Sequence, residues 1–181
     1  MDIRALRLAG TYEIRCAPQQ DDRGHFMRTY DRALFARFGL ATSWEQESQS
    51  MNLRMGTLRG LHFQRPPYTE AKLVQVVAGA VFDVFVDLRR SSETYGQWDS
   101  IELSDAAHNI VYIPQGFAHG FCTLSAETMV LYKMDAPYSP ESQDGLIWSD
   151  PALNISWPTR DPVVSVRDQR FGSLADLASP F

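Results

Sequence analysis

The stretch "TLRGLHFQ", residues 57–64, sets a fixed cation, Arg59, three residues from a titratable imidazole, His62, among the apolar Leu58, Leu61 and Phe63. An arginine and a histidine serving one small molecule could hold an anion and move a proton. Strand alternation opposes this, because Leu58, Gly60, His62 and Gln64 fall on one face and Arg59, Leu61 and Phe63 on the other. Both can face one site only if the strand kinks, and Gly60 is the natural place for a bulge. A second histidine, His119, lies in "IPQGFAHGF", where Pro114 and Gly116 make a turn ahead of a strand. Taken alone, each histidine reads as a hydrogen-bonded core residue; it is their company that suggests chemistry.

Lys72 opens the apolar strand of "EAKLVQVV", a position where a lysine ordinarily snorkels to the surface. In "VFDVFVDL", parity groups Asp83 and Asp87 with Val81 and Phe85, opposite Phe82, Val84, Val86 and Leu88, so Asp83 is a candidate pocket residue. In "VLYKM", Tyr132 and Lys133 take opposite faces, and one must point inward; the plain reading of Tyr132 is a barrel-core tyrosine. His62, Gln64, Glu70 and His119 distantly echo a metal-binding cupin barrel. Gln64, however, stands where a second histidine would be expected and is a poor transition-metal ligand, so the expectation is a pocket with neither metal nor cofactor. Nicotinamide, nucleotide-hydrolysing and serine-hydrolase readings find no Gly-rich fingerprint, phosphate-loop lysine or nucleophile elbow to support them.

The elements that must position these residues are mostly strands. Alternating or continuous runs of β-branched and aromatic residues predict them at 12–16, 25–30, 43–53, 57–64, 72–78, 81–88, 97–103, 110–113, 118–124 and 128–134. That many short strands imply an all-β barrel or sandwich. "AGA", with Gly79 able to adopt positive φ, predicts an antiparallel hairpin between 72–78 and 81–88. "DRALFARFG" predicts a short helix capped by Asp31 and stopped at Gly39, and a helical turn is expected near Ser173 to Ala178. The segment from Tyr138 to Pro162 reads as irregular but packed on the barrel.

With 181 residues, 44% of them hydrophobic and no linker or repeat, the chain reads as one domain, 1–181. Net charge is −5 and the cations are scattered, which predicts no nucleic-acid or membrane partner and requires any anionic ligand to be held by a few placed cations. No window resembles a signal peptide or a membrane span, so a cytoplasmic location is expected, with Cys16 and Cys122 reduced.

"GTLRGLHFQ", "AKLVQVVAGAVFDVFVDLRRSSETYGQW", "VYIPQGFAHGF" and "YSPESQDGLIWSDPALNISWP" together resemble the dTDP-4-dehydrorhamnose 3,5-epimerase family, over about Asp22 to Asp168. The resemblance implies a cupin-type jelly-roll barrel, a homodimer, no cofactor, and a nucleoside-diphosphate 4-keto-6-deoxyhexose as substrate. Carried onto this chain, it makes His62 the base, Asp168 of "SVRD" its orienting partner, Tyr132 the opposite-face acid and Lys72 the cation near the ketone oxygen. It assigns Arg59 and Arg23 to the diphosphate, His119 to the sugar pocket and Tyr138 to the nucleobase, with Arg167 beside Asp168 a further substrate contact. The spelling departs from the family at Arg28, at Glu47 and Gln49, and at Gln143; these fall at nucleotide recognition or the pocket rim, where Gln49 and Gln143 are candidate contacts.

The chemistry is coherent, because a C4 ketone acidifies the hydrogens at C3 and C5, and a base plus a cation suffices to remove them. The alternatives are a 3- or 5-epimerase, a sugar 3,4-ketoisomerase, which would not need an opposite-face tyrosine, and a non-catalytic sugar-nucleotide barrel.

Overall fold

The computed structural model describes residues 1–181. Its strands are β1 (Asp2–Ala5), β2 (Tyr12–Arg15), β3 (Gln19–Asp21), β4 (Gly24–Phe26), β5 (Gln46–Asn52), β6 (Thr57–Gln64), β7 (Lys72–Ala78), β8 (Ala80–Asp87), β9 (Trp98–Ser104), β10 (Asn109–Ile113), β11 (Phe117–Thr123), β12 (Thr128–Met134), β13 (Gln143–Gly145) and β14 (Val163–Val164). One helix, α1 (Arg32–Arg37), and a 3₁₀ turn at Asp168–Arg170 complete the set. No helix is long and apolar enough to cross a membrane.

The strands form two facing sheets, one ordered β1-β2-β10-β7-β12-β5 and the other β13-β6-β11-β8-β9, with β14 parallel to β6. Strands β3 and β4 make a separate two-stranded arm. From β5 to β13 successive strands cross between the two sheets, except for the β8–β9 hairpin, which is the expected jelly roll. The crossover at Gly79 corrects one expectation: β7 and β8 are not a hairpin but belong to opposite sheets. Gly79 does take φ +81, yet it turns the chain across the barrel rather than back along one sheet. The segment 173–178 makes a turn at 174–176, with Asp176 N–H donating to Ser173 O and Leu177 N–H to Leu174 O, and a 3₁₀ turn lies earlier, at Asp168–Arg170. The helix forms as expected, with the Asp31 carboxylate accepting from Leu34 N–H at its start.

Three apolar layers hold the sheets. Val74, Val76, Val81, Phe85, Val111, Phe121 and Val130 fill the space between them. Phe35 of α1 packs with Ile14, Leu73 and Ile110 on the outer face of the first sheet. The chain after β13 covers the outer face of the second, where Leu153 and Trp157 meet Leu61, Phe63, Val84 and Val86. Strand β8 is therefore covered on both faces, which is why its sequence reads as a continuous apolar run.

Strand β6 is not regular. His62 pairs with His119 and Arg59 with Phe121, so Gly60 and Leu61 together face the single Gly120. This is the bulge expected at Gly60, which takes φ +124; the Gly60–Leu61 peptide is cis. A Cβ on Gly60 would lie 2.5 Å from the Gly120 Cα and 2.8 Å from the His119 carbonyl oxygen. Both neighbours are backbone and cannot swing away. Overpacking and an unfavourable φ together predict that Gly60→Ala loses about 2–5 kcal/mol of stability, checked by urea unfolding against wild type.

Candidate active site

Alternation fixes what points between the sheets. On the first sheet, β7 sends Lys72, Val74 and Val76 inward, β12 sends Val130, Tyr132 and Met134, and β5 sends Gln46, Ser48, Ser50 and Asn52. On the second, β11 contributes His119 and Phe121, β8 contributes Asp83, and β6 contributes Gln64, His62 and, because of the bulge, Arg59. Beyond the apolar core these side chains, except Ser50, Asn52 and Asp83, line a cavity of about 450 Å³, with Glu70, Tyr138 and Gln143 completing its lining. A concavity of about 540 Å³ beside α1 is larger, but it is lined by Met1, Phe26, Arg28 and Leu34 among others and offers neither a histidine nor a tyrosine.

His62 is held from behind. Its Nε2 lies 2.9 Å from Asp168 Oδ1, while Asp168 Oδ2 accepts from Gly60 N–H at 3.1 Å. Asp168 N–H donates to Ser165 Oγ, and Phe171 packs edge-on against the imidazole at 5.7 Å. With Nε2–H given to the carboxylate, Nδ1 keeps the free lone pair. Burial lowers the His62 pKa below its ordinary value, against the hydrogen bond and charge of Asp168, which raise it; Lys72 and Arg167 add to the lowering. Burial pushes Asp168 up, but the bond and charge of His62 and the bonds from Gly60 and Ser165 outweigh it and hold the carboxyl below its usual range. His62 is thus an uncharged base near neutral pH, standing against a fixed anion.

Tyr132 projects from the opposite sheet. Its hydroxyl lies 2.9 Å from Ser50 Oγ, and its ring packs on Phe121. Burial pushes the phenol well above its usual pKa, opposed by the Ser50 bond and the Arg59 charge. Tyr132 therefore stays protonated. Lys72 pairs with Glu70 at 3.1 Å, and both side chains are nearly buried. His119 pairs with Asp83 at 2.9 Å, and Asp83 is completely buried with its Oδ1 unpartnered. Burial raises the Asp83 carboxyl, against the charge and bond of His119 and the charge of Lys72. Gln64 is saturated: its amide nitrogen has two hydrogens for three acceptors within reach, Tyr68 O, Pro137 O and Glu70 Oε2, and its oxygen accepts from Ser139 N–H.

The cavity brings together His62, Tyr132, Lys72, Arg59, His119, Tyr138 and Gln143, with Asp168 behind His62 and Tyr138 donating to Gln143 Oε1 at 2.7 Å. Three expected contacts lie elsewhere. Gln49 faces outward, because Tyr132 pairs with Ser48 and parity turns position 49 to the other side; Gln46 and Ser48 line the cavity in its place. Arg23 sits on the β3–β4 arm, almost fully exposed and paired with Asp21. Arg167 stacks over Phe171 outside the cavity wall. Ser48, Ser50 and Asn52 belong to no recognisable motif, although short polar residues at alternate positions of a strand are the signal of an inward face that pairs polar groups.

The matching family profile, described as dTDP-4-dehydrorhamnose 3,5-epimerase, covers residues 5–176. A dTDP-4-dehydrorhamnose 3,5-epimerase of Methanothermobacter thermautotrophicus is 45% identical, over 93% of this chain and 92% of its own. The crystal structure of the Bacillus anthracis enzyme of that name, with TDP and PPi bound, superposes with a TM-score of 0.93 at 38% identity, covering 96% of this chain and 99% of that one. A Legionella pneumophila dTDP-6-deoxy-D-glucose-3,5-epimerase in complex with dTDP-4-keto-L-rhamnose matches with a TM-score of 0.92 at 36% identity, over 97% and 94% of the two chains.

NMR titration of the His62 ring should give a midpoint below the ordinary histidine value. Asp168→Asn removes an influence that raises that pKa, so its midpoint should fall further; an upward movement would contradict the assignment of causes.

Proposed function

The chain belongs to the dTDP-4-dehydrorhamnose 3,5-epimerase family, and from that footing we propose that it inverts C3 and C5 of a dTDP-linked 4-keto-6-deoxyhexose, with His62 as base and Tyr132 as acid. The observation that carries this reading is that base and acid project from opposite sheets into one cavity, one deprotonated and one protonated near neutral pH. A ketone held between them loses its α-proton to one wall, and the planar enolate so formed gains a proton from the other, which is inversion.

His62 Nδ1 takes the hydrogen from C3 or C5, and the electron pair moves onto the C4 oxygen as an enolate. Lys72 is the nearby cation suited to hold that charge in a water-poor cavity. Tyr132 then delivers its phenolic proton to the opposite face of the carbon, and solvent restores both groups for the second centre. Asp168 keeps His62 in the right tautomer and balances the imidazolium. Arg59 spends only its Nε on Asn52, which leaves both terminal nitrogens for a diphosphate. Tyr138, more than half exposed at the rim, suits stacking on the base, with Gln143 beside it. Residues 1–181 act as one catalytic unit in this reading.

A homodimer accounts for Arg23. Strand β5 is an uncovered sheet edge, and Met51, Leu53 and Met55 on or just after it are 44%, 72% and 66% exposed. Phe26 on the β3–β4 arm is 72% exposed as well. A second copy covering these residues would bury the apolar surface and could carry each arm, with its Arg23, toward the neighbouring cavity. Light scattering should give twice the chain mass, and Leu53→Glu should shift it toward monomer; a monomeric wild type would refute the arrangement.

The reaction itself is tested by following the sugar in heavy water by NMR. Deuterium at both C3 and C5 is expected; label at one carbon only would mean a mono-epimerase, and no exchange would remove the catalytic reading. His62→Ala should slow exchange about 10²–10⁴-fold, whereas Tyr132→Phe should retain exchange and lose inversion.

A further inference from the structure

We propose that Ser50 and Asn52 form a directional hydrogen-bond relay that aims the Tyr132 proton into the cavity and ties the tyrosine to the Arg59 guanidinium. The inference rests on Tyr132 being the acid and assigns positioning roles to two residues that do not themselves touch the reacting carbons.

The direction of the relay follows from which groups can only donate. Arg59 Nε donates to Asn52 Oδ1 at 2.7 Å, and a guanidinium has no acceptor, so this contact decides which end of the amide is oxygen. The Asn52 nitrogen then has two hydrogens. One goes to Thr128 O at 3.0 Å, and the other reaches Ser50 Oγ at 3.4 Å. Asn52 is 2% exposed, so no solvent competes for these bonds. Ser50 accepts from Asn52 and is left with one hydrogen of its own, for which the nearest oxygen is the Tyr132 hydroxyl at 2.9 Å. The tyrosine accepts on that side, and its own hydrogen must point elsewhere, toward the cavity that it lines.

The same arrangement serves the moment after proton delivery. Tyr132 then carries a negative charge in a site whose burial disfavours it. The Ser50 hydroxyl already points at that oxygen, and the chain of donors behind it ends on a permanent positive charge. No reorientation is needed when the charge appears. All three members occupy inward positions of β5 and the bulged β6, so the relay exists only because the bulge turns Arg59 inward.

The test compares wild type, Ser50→Ala, Ser50→Thr and Tyr132→Phe acting on a dTDP-linked 4-keto-6-deoxyhexose in heavy water, scoring exchange and inversion separately. Ser50→Ala should slow inversion about tenfold or more while exchange, the work of His62, stays within about threefold; Ser50→Thr, which keeps the hydroxyl, should recover inversion to within about threefold of wild type. An unchanged ratio of inversion to exchange in Ser50→Ala, or a parallel fall of both, would overturn the relay. A second readout is independent of turnover. With trifluorotyrosine incorporated at position 132, the more acidic phenol titrates at accessible pH by ¹⁹F NMR, and its midpoint should rise in the Ser50→Ala background; no movement would overturn the relay. If wild type shows neither exchange nor inversion, the functional reading fails instead, and the ¹⁹F titration still decides whether Ser50 supports the Tyr132 oxygen.

Discussion

The site depends on how closely three strands approach one another beside His62. Gly60 on β6, Gly120 on β11 and Gly145 on β13 meet there, and none has room for a side chain. A Cβ on Gly120 would lie 2.7 Å from the Arg59 carbonyl oxygen, and one on Gly145 would lie 2.5 Å from that of Leu61. This gap-free contact allows two residues of β6 to face one of β11. The extra residue shifts parity by one, so Arg59 and His62, three apart in sequence, turn to the same side. The Gly60 N–H is also freed to donate to Asp168, so the bulge that aligns Arg59 with His62 helps seat the carboxylate behind His62.

Around that contact, charge enters the cavity in pairs. His62 comes with Asp168, His119 with Asp83 and Lys72 with Glu70, while Arg59 is anchored on a neutral amide. Bringing such groups out of water is unfavourable, and the partners offset much of the penalty without removing it. Asp83 shows the residue of the cost, for one of its oxygens is buried with no donor and its carboxyl is pushed up. A barrel selected only for stability would fill these positions with valine and leucine, as its own lower core does. The polar end is tolerated because three apolar layers, one between the sheets and two outside them, carry the fold.

Two facing sheets also suit a reaction whose outcome is a change of hand. Groups on a single sheet would approach a sugar ring from one side only. Here His62, the proposed base, stands on β6 and Tyr132, the proposed acid, on β12, in different sheets that pack face to face through the barrel core. The neutrality of the one and the protonation of the other share a cause, since burial disfavours the charged form of each.

Much of this was legible in the residues. Period-two patterning located the long strands to within a few residues, and four glycine- and proline-marked motifs carried the likeness to a family and, with it, most of the cavity lining. The sequence by itself determined the all-β class and the need for a break at Gly60 if Arg59 and His62 are to share a site, because these follow from residue patterning and local steric rules, while the roles expected of His62, Tyr132 and the cations came with the family likeness. Only the tertiary structure decided that β7 and β8 part into opposite sheets, that Tyr132 rather than Lys133 faces inward, that Gln46 and Ser48 line the cavity while Gln49 does not, with Ser50 bonded to Tyr132 and Asn52 to Arg59, and that Arg23 and Arg167 stand outside it. Parity within a strand is local, but which face becomes the interior depends on what packs against it, and that partner is supplied by strands far away in the chain.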